Sequence, residues 1–283
     1  MKNLFIIITS GRTGSTYIRL WLNSFLDIRC HGEILRGNSK DGIRMFLNQN
    51  LTIKLFRRFF GDHKTTFKYN PVSKYFVKSY FNSLLNNPNH SAPWHTMEHW
   101  NDYLAQDSYD IGANNVGFKI IFDSYQYYYY KKHLEFNFKY LNPKIILLKR
   151  KNLLELLISF KLANNSGIFH SEKDINGGYA GALYLPTENI VNELDHLEEL
   201  YVNMNSEFKE YQIFNLYYED FFYSENSIDY QNKLREFIGS KSIKQKNPPK
   251  LKKLTKASVE EILINYNDIE SILKKSKYSY CLT

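Results

Sequence analysis

The sequence predicts the α/β class: a parallel β-sheet of about four to five strands flanked by helices, carrying a helical and aromatic insertion. Three observations predict it. Several apolar runs are continuous rather than alternating, the pattern of strands buried on both faces. Helix-compatible sequence separates each run from the next, and a small-residue turn, "TSGRTGST", joins the first run to the first helical stretch.

In chain order, "LFIII" (4–8) reads as the first strand and residues 14–26 as an amphipathic helix. Residues 36–115 then interrupt the pattern with Asn, aromatics and Lys/Arg. "VGFKIIF" (116–122) is the next strand, followed by a helix over 124–140 that Ser124 starts. Within it "YQYYYYKKH" reads as an aromatic helix face rather than a low-complexity tract. "KIILLK" (144–149) is a strand and 152–164 a helix, before a second, Gly-rich interruption over 165–186. A helix over 187–209, the strand "QIFNLYY" (212–218) and helices over 228–238 and 257–275, the last started by Ser258, complete the series. In an open α/β sheet, long excursions at the carboxyl ends of strands build substrate sites, so 36–115 is expected either to line an acceptor site or to be a plain surface insertion.

At 283 residues and 43% hydrophobic content the chain has enough apolar sequence for one large core, and 1–283 is read as a single domain. The 37 Lys+Arg against 29 Asp+Glu leave a net charge of +8. That balance favours an anionic partner such as a nucleotide, an acidic glycan or a lipid surface, or reflects no more than a Lys- and Asn-rich composition. Cys30 and Cys281 have no metal-knuckle or disulfide-framework spacing. The run Leu4 to Ile8 is too short for a signal peptide, and no stretch reaches the roughly 18–20 apolar residues of a membrane span. A cytoplasmic protein is the expectation.

The loop carries the most chemistry. Gly11 and Gly14 permit close backbone approach, so that the N–H groups of Thr13, Gly14, Ser15 and Thr16 can converge on one anion at the helix N-terminus. It is P-loop-like, yet a Walker sequence would place Lys where Ser15 follows Gly14. Arg12 supplies the cation instead, with a planar fork suited to two oxygens of a phosphate or sulfate. Ordinary ATP chemistry is disfavoured.

At this loop the sequence resembles the sulfotransferase family that uses 3′-phosphoadenosine-5′-phosphosulfate, whose first strand ends in a Gly-Arg-x-Gly-Ser-Thr type of 5′-phosphosulfate loop. It is most similar to the bacterial carbohydrate type, which includes the nodulation-factor and trehalose sulfotransferases. "HGEIL" (31–35), "GFKII" (117–121), "LLKRKNLLELLISFKLA" (147–163) and "YYEDF" (217–221) agree in order, and "LINYNDIESILKKSKYSYCL" has the shape of the tail those enzymes share. The resemblance implies that donor, 3′,5′-adenosine bisphosphate as product, no metal, and a hydroxyl acceptor that is a saccharide. It implies no nucleic-acid partner, and peripheral membrane contact only for a glycolipid acceptor. The oligomeric state is not legible. The alternatives are a P-loop-type nucleotide or sugar kinase, or a catalytically inactive nucleotide- or glycan-binding module.

Arg150 ends the "KIILLK" strand and Ser159 lies about two turns into the following helix, so both are expected at one pocket on the sheet's carboxyl edge. In the family, residues so placed hold the 3′-phosphate, and Lys151 is open to sharing or taking the role of Arg150. Glu33 follows Gly32 beyond the first helix, where a carboxylate can take the proton of an acceptor hydroxyl. In trehalose-type relatives a Glu there is the general base; His31 stands as the rival. Catalytic roles are thus expected for Glu33 and Arg12, and donor binding for Gly11, Arg12, Thr13, Gly14, Ser15, Thr16, Arg150 and Ser159. Lys119 in "GFKII" either reaches the site or snorkels at the sheet edge. Glu219 and Asp220 are expected to tie the last strand to its neighbours. The basic run 246–255 either folds over the donor or is a solvated loop, and Trp94 and Trp100 either stack on sugars or sit in a core.

Overall fold

The apolar, β-branched run near the N-terminus is the central strand, β1 (Asn3–Thr9), and every residue from Leu4 to Thr9 is buried. The computed structural model describes residues 3–33, 113–166, 183–243, 245, 249 and 257–282. The sheet has five strands among them, in the order β2-β3-β1-β4-β5. Besides β1 these are β2 (Ile28–Glu33), β3 (Asn115–Ile121), β4 (Lys144–Lys149) and β5 (Ile213–Tyr217). All pair in parallel.

Helix α1 (Ser15–Asn23) follows the loop, and α2 (Tyr125–Leu141) follows β3. After β4 come α3 (Leu153–Ser166) and α4 (Ile190–Phe208). The short α5 (Tyr218–Phe222) and α6 (Ser227–Ile238) follow β5, and α7 (Val259–Ile262), α8 (Tyr266–Leu273) and a 3₁₀ turn (Ser279–Leu282) close the chain. Ser124 caps α2 by accepting from the Tyr127 N–H, and Ser258 forms a capping box with Glu261, as side-chain oxygens do for orphaned helix N–H groups.

Strand alternation splits the core into two layers. Ile6, Ile8, Phe118, Ile120, Ile145 and Leu147 pack against α2 and α4. Phe5, Ile7, Cys30, Ile146 and Leu148 pack against α1 and α6. A third cluster joins α3, α4, α7, α8 and the tail through Leu157, Leu194, Ile269 and Tyr278. Fully burying each such large side chain contributes roughly 1.5–3 kcal/mol before conformational entropy is subtracted.

Gly117 is the tightest point of this core, because a Cβ there would lie 2.3 Å from the buried Phe5 ring. Gly117→Ala is therefore expected to cost about 1–3 kcal/mol by overpacking, read as a lowered urea midpoint at unchanged slope. An unchanged midpoint would mean that Phe5 can yield.

Three expected boundaries move. The first helix stops at Asn23, where Phe25 bridges to Gln245, and the chain enters the edge strand β2, which has no continuous apolar run to announce it. The helix expected at 187–209 starts at Ile190. The helix expected over 257–275 breaks at Leu263–Asn265: Leu183 exchanges backbone hydrogen bonds with Ile262 and Ile264, and the Asn265 amide bonds to Leu185 on both sides. Residues 36–112 of the expected insertion lie outside the described residues, as do Trp94, Trp100 and almost all of the 246–255 run, while Asn115 already belongs to β3. No described helix is long and apolar enough to cross a membrane.

Candidate functional site

The sheet order sends the connection after β1 toward β2 and the connection after β4 toward β5, so the carboxyl ends of β1 and β4 flank the point where the winding reverses. Open α/β sheets hold ligands at such a point. The loop 10–14 leaves β1 there. Its base is tied down: the Thr9 hydroxyl lies 3.0 Å from the Leu148 carbonyl oxygen of β4 and shares a short hydrogen bond with the Thr13 hydroxyl.

Two loop residues take left-handed backbone, Arg12 at φ 62° and Gly14 at φ 74°. Such a conformation is costly for a non-Gly residue and clusters at ligand sites. Gly14 is also close to a wall, since a Cβ would meet the Tyr218 ring at 2.7 Å. Left-handed residues leading into a helix are the backbone geometry that lets successive N–H groups converge on an anion, and the dipole of α1 adds its positive end. The Gly11 N–H donates to the Asp123 carboxylate.

Arg12 and Ser159 come together. The Arg12 Nε donates to Ser159 Oγ at 3.1 Å, and Phe160, the next residue of α3, backs Gly11. Ser159 thus meets the loop arginine. Arg150 is held separately at the end of β4, buried, with its guanidinium against the Tyr218 ring at 4.6 Å. It pairs with Glu155 and lies 3.5 Å from Glu219 through Nε, which makes no hydrogen bond. Its backbone N–H donates to the Tyr201 hydroxyl at 2.9 Å, and burial pushes that phenol up to about 12. Lys151 points the other way, half-exposed and paired with Asp220 at 2.5 Å. Glu219 also accepts the Lys151 N–H at 2.8 Å, so Glu219 and Asp220 join the end of β5 to that of β4.

Lys119 reaches the site. Only 4% exposed, it lies 2.9 Å from the Glu33 carboxylate and 3.4 Å from the hydroxyls of both Ser15 and Thr16. Burial lowers its pKa, and the Glu33 carboxylate works against that shift.

A bulge explains why Glu33 is the partner. His31 stands opposite Phe118, but the next pair is Glu33 with Lys119, so Gly32 is an extra residue in β2. Side chains alternate along a strand, and one surplus residue flips all that follow. His31 is therefore on the Phe118 face and Glu33 on the α1 face, beside the loop.

Sequence alone leaves Lys119 with two readings, because a lysine within an apolar strand gives no sign of which way it points. It does not single out Arg19 at all. Cys30 lies in this layer too, and burial pushes its thiol up to about 12 despite the nearby charges of Arg19, Lys119 and Arg29. A thiol reagent at pH 8 is expected to leave Cys30 intact in the native protein and to modify it after unfolding, followed by mass spectrometry. Native labelling within minutes would contradict the burial.

No family profile matches the chain, and no curated protein matches it. Among solved structures it is similar to a sulfotransferase from Alicyclobacillus acidocaldarius, with 10% identity and a TM-score of 0.41, covering 97% of this chain and 95% of that one. It is also similar to the sulfotransferase domain from the curacin biosynthetic pathway, with 15% identity and a TM-score of 0.39, covering 97% and 90%. At these identities the chemistry has to be read from the residues themselves.

Proposed function

We propose that the protein is a sulfotransferase that moves a sulfuryl group from 3′-phosphoadenosine-5′-phosphosulfate to a hydroxyl, with a carbohydrate or glycolipid as the acceptor class. The observation that carries this reading is the loop after β1. It runs through left-handed backbone at Arg12 and Gly14 straight into α1, and its cations are Arg12 within the loop and Lys119 from β3, with no Walker lysine. Fixed cations of this kind suit a sulfuryl donor that reacts without a divalent ion.

In this reading the acceptor oxygen attacks sulfur in line, an O–S bond forms, and the bond from sulfur to the 5′-phosphate oxygen breaks. Glu33 takes the hydroxyl proton. Arg12 and the loop amides hold the charge that develops on the leaving phosphate, which departs as 3′,5′-adenosine bisphosphate. Arg150 and Ser159 are assigned to the 3′-phosphate. The Nε of Arg150, which faces Glu219 at 3.5 Å without a hydrogen bond, is consistent with that role, and an arriving anion competes with Glu155 and Glu219 for the guanidinium. The acceptor class rests on the resemblance of the ordered motifs and the C-terminal tail.

Ser159→Ala is expected to weaken 3′,5′-adenosine bisphosphate binding by about 1–3 kcal/mol, measured by calorimetry, since it removes a hydroxyl from the ligand and from Arg12 together. Unchanged affinity would separate Ser159 from the donor. The whole reading is tested by melting the protein with that bisphosphate in the absence of metal. A stabilisation of about 2.7 kcal/mol is expected at a hundredfold excess over the Kd, together with transfer of radiolabelled sulfate to a sugar or glycolipid panel. Stabilisation by Mg-ATP alone, with phosphate transfer, would make the protein a kinase. Binding without transfer to any acceptor would make it an inactive module.

A further inference from the structure

Arg19 lies one turn beyond the loop on α1, is 6% exposed, and has an Nη1 with no hydrogen-bond partner among the described residues. Arg19 follows Ser15 and Thr16 by four and three residues, so it shares their face of α1, and those two hydroxyls are the ones that Lys119 approaches from β3. Its charge acts on both Lys119 and Cys30. Two buried cations therefore stand together with a single carboxylate, Glu33, in contact with Lys119 among the described residues. The thiol of Cys30 does not balance the excess, because it stays protonated. An uncompensated buried charge is expensive, and proteins keep such groups where a ligand supplies the missing partner.

We propose that Arg19 and Lys119 form a second oxyanion subsite, beside the cradle of the 11–16 loop, that receives a sulfate-sized tetrahedral anion. As a binding site it stands on these residues alone; as part of an enzyme it deepens the sulfotransferase reading and rests on it. The group received comes either from the transferring end of the donor or from an anionic substituent of the acceptor next to the hydroxyl that faces Glu33.

The test is calorimetric titration of the full chain with inorganic sulfate, with and without saturating 3′,5′-adenosine bisphosphate, in wild type and Arg19→Met. Sulfate is expected to bind wild type with the bisphosphate present, and its Kd is expected to rise about tenfold or more in Arg19→Met, the scale of one lost charged hydrogen bond. Bisphosphate affinity is expected to stay the same. An equal sulfate Kd in the two proteins would overturn the subsite, and so would a ligand-free Arg19→Met that folds but melts well below wild type, since that would make Arg19 a structural residue. If Arg19→Met does not fold, Arg19→Gln reads the same Kd ratio: a rise upholds the subsite and an equal Kd overturns it. Adenosine 5′-phosphosulfate separates the sources: displacement of sulfate assigns the subsite to the donor, and simultaneous binding assigns it to the acceptor. Loss of sulfate binding in Arg19→Met by a protein that never binds the bisphosphate would uphold the subsite and remove the sulfotransferase reading.

Discussion

Glu33→Gln is expected to lower kcat for sulfate transfer by about 10²–10⁴-fold, the range that a positioned general base supplies. The substitution keeps the shape of the side chain and deletes its ability to accept a proton. It also leaves Lys119, buried and 2.9 Å away, facing an amide, so some stability is lost as well. The two effects separate by measurement: turnover falls at saturating substrates, while binding of 3′,5′-adenosine bisphosphate persists in a protein whose circular dichroism matches wild type. His31→Gln is the companion variant. Because His31 lies before the bulge, opposite Phe118 and on that face, a folded His31→Gln protein is expected to keep its turnover within a few-fold. Full activity in Glu33→Gln would place the base elsewhere.

Arg12→Ala is expected to reduce kcat by about 100-fold or more, the cost of losing a preorganised group aimed at charge that grows in the transition state. Part of the loss comes through Ser159, which Arg12 holds at 3.1 Å across to α3. Arg12→Lys tells the contributions apart, since it keeps the charge and removes the fork, and an intermediate rate is expected. A rate for Arg12→Ala within threefold of wild type would strip the residue of its role.

Much of the scaffold was legible because its signals are local. Continuous Ile and Leu runs mark β1 and β4 wherever they lie in the sheet, and Ser124 and Ser258 announce helix starts through bonds to residues three positions on. The misses are long-range. "IRCHGE" mixes charged and small residues, and it becomes a strand only because β3 offers a free edge. The break at Leu263–Asn265 depends on Leu183 and Leu185, some eighty positions away.

The site follows the same rule. The loop could be read because glycine spacing and Arg12 sit within eight residues. The meeting of Lys119 with Ser15, of Arg12 with Ser159, and of Arg150 with Tyr218 joins segments more than sixty residues apart, and no spacing rule reaches that far. Arg19 escapes notice for a related reason. An arginine four residues into an amphipathic helix reads as a solvent-facing charge until the opposing strand is in view.

The surplus residue in β2 has one more implication. Shorten the chain by Gly32 and pairing with β3 can proceed in plain two-residue rhythm, with the hydrophobic layers undisturbed and the protein still folded. Glu33 would then follow His31 directly and still fall opposite Lys119, so the carboxylate is expected to keep its side of the sheet; with Gly32 present, plain alternation would instead set Glu33 opposite Ile120 on the far side, and the bulge is what absorbs that extra residue.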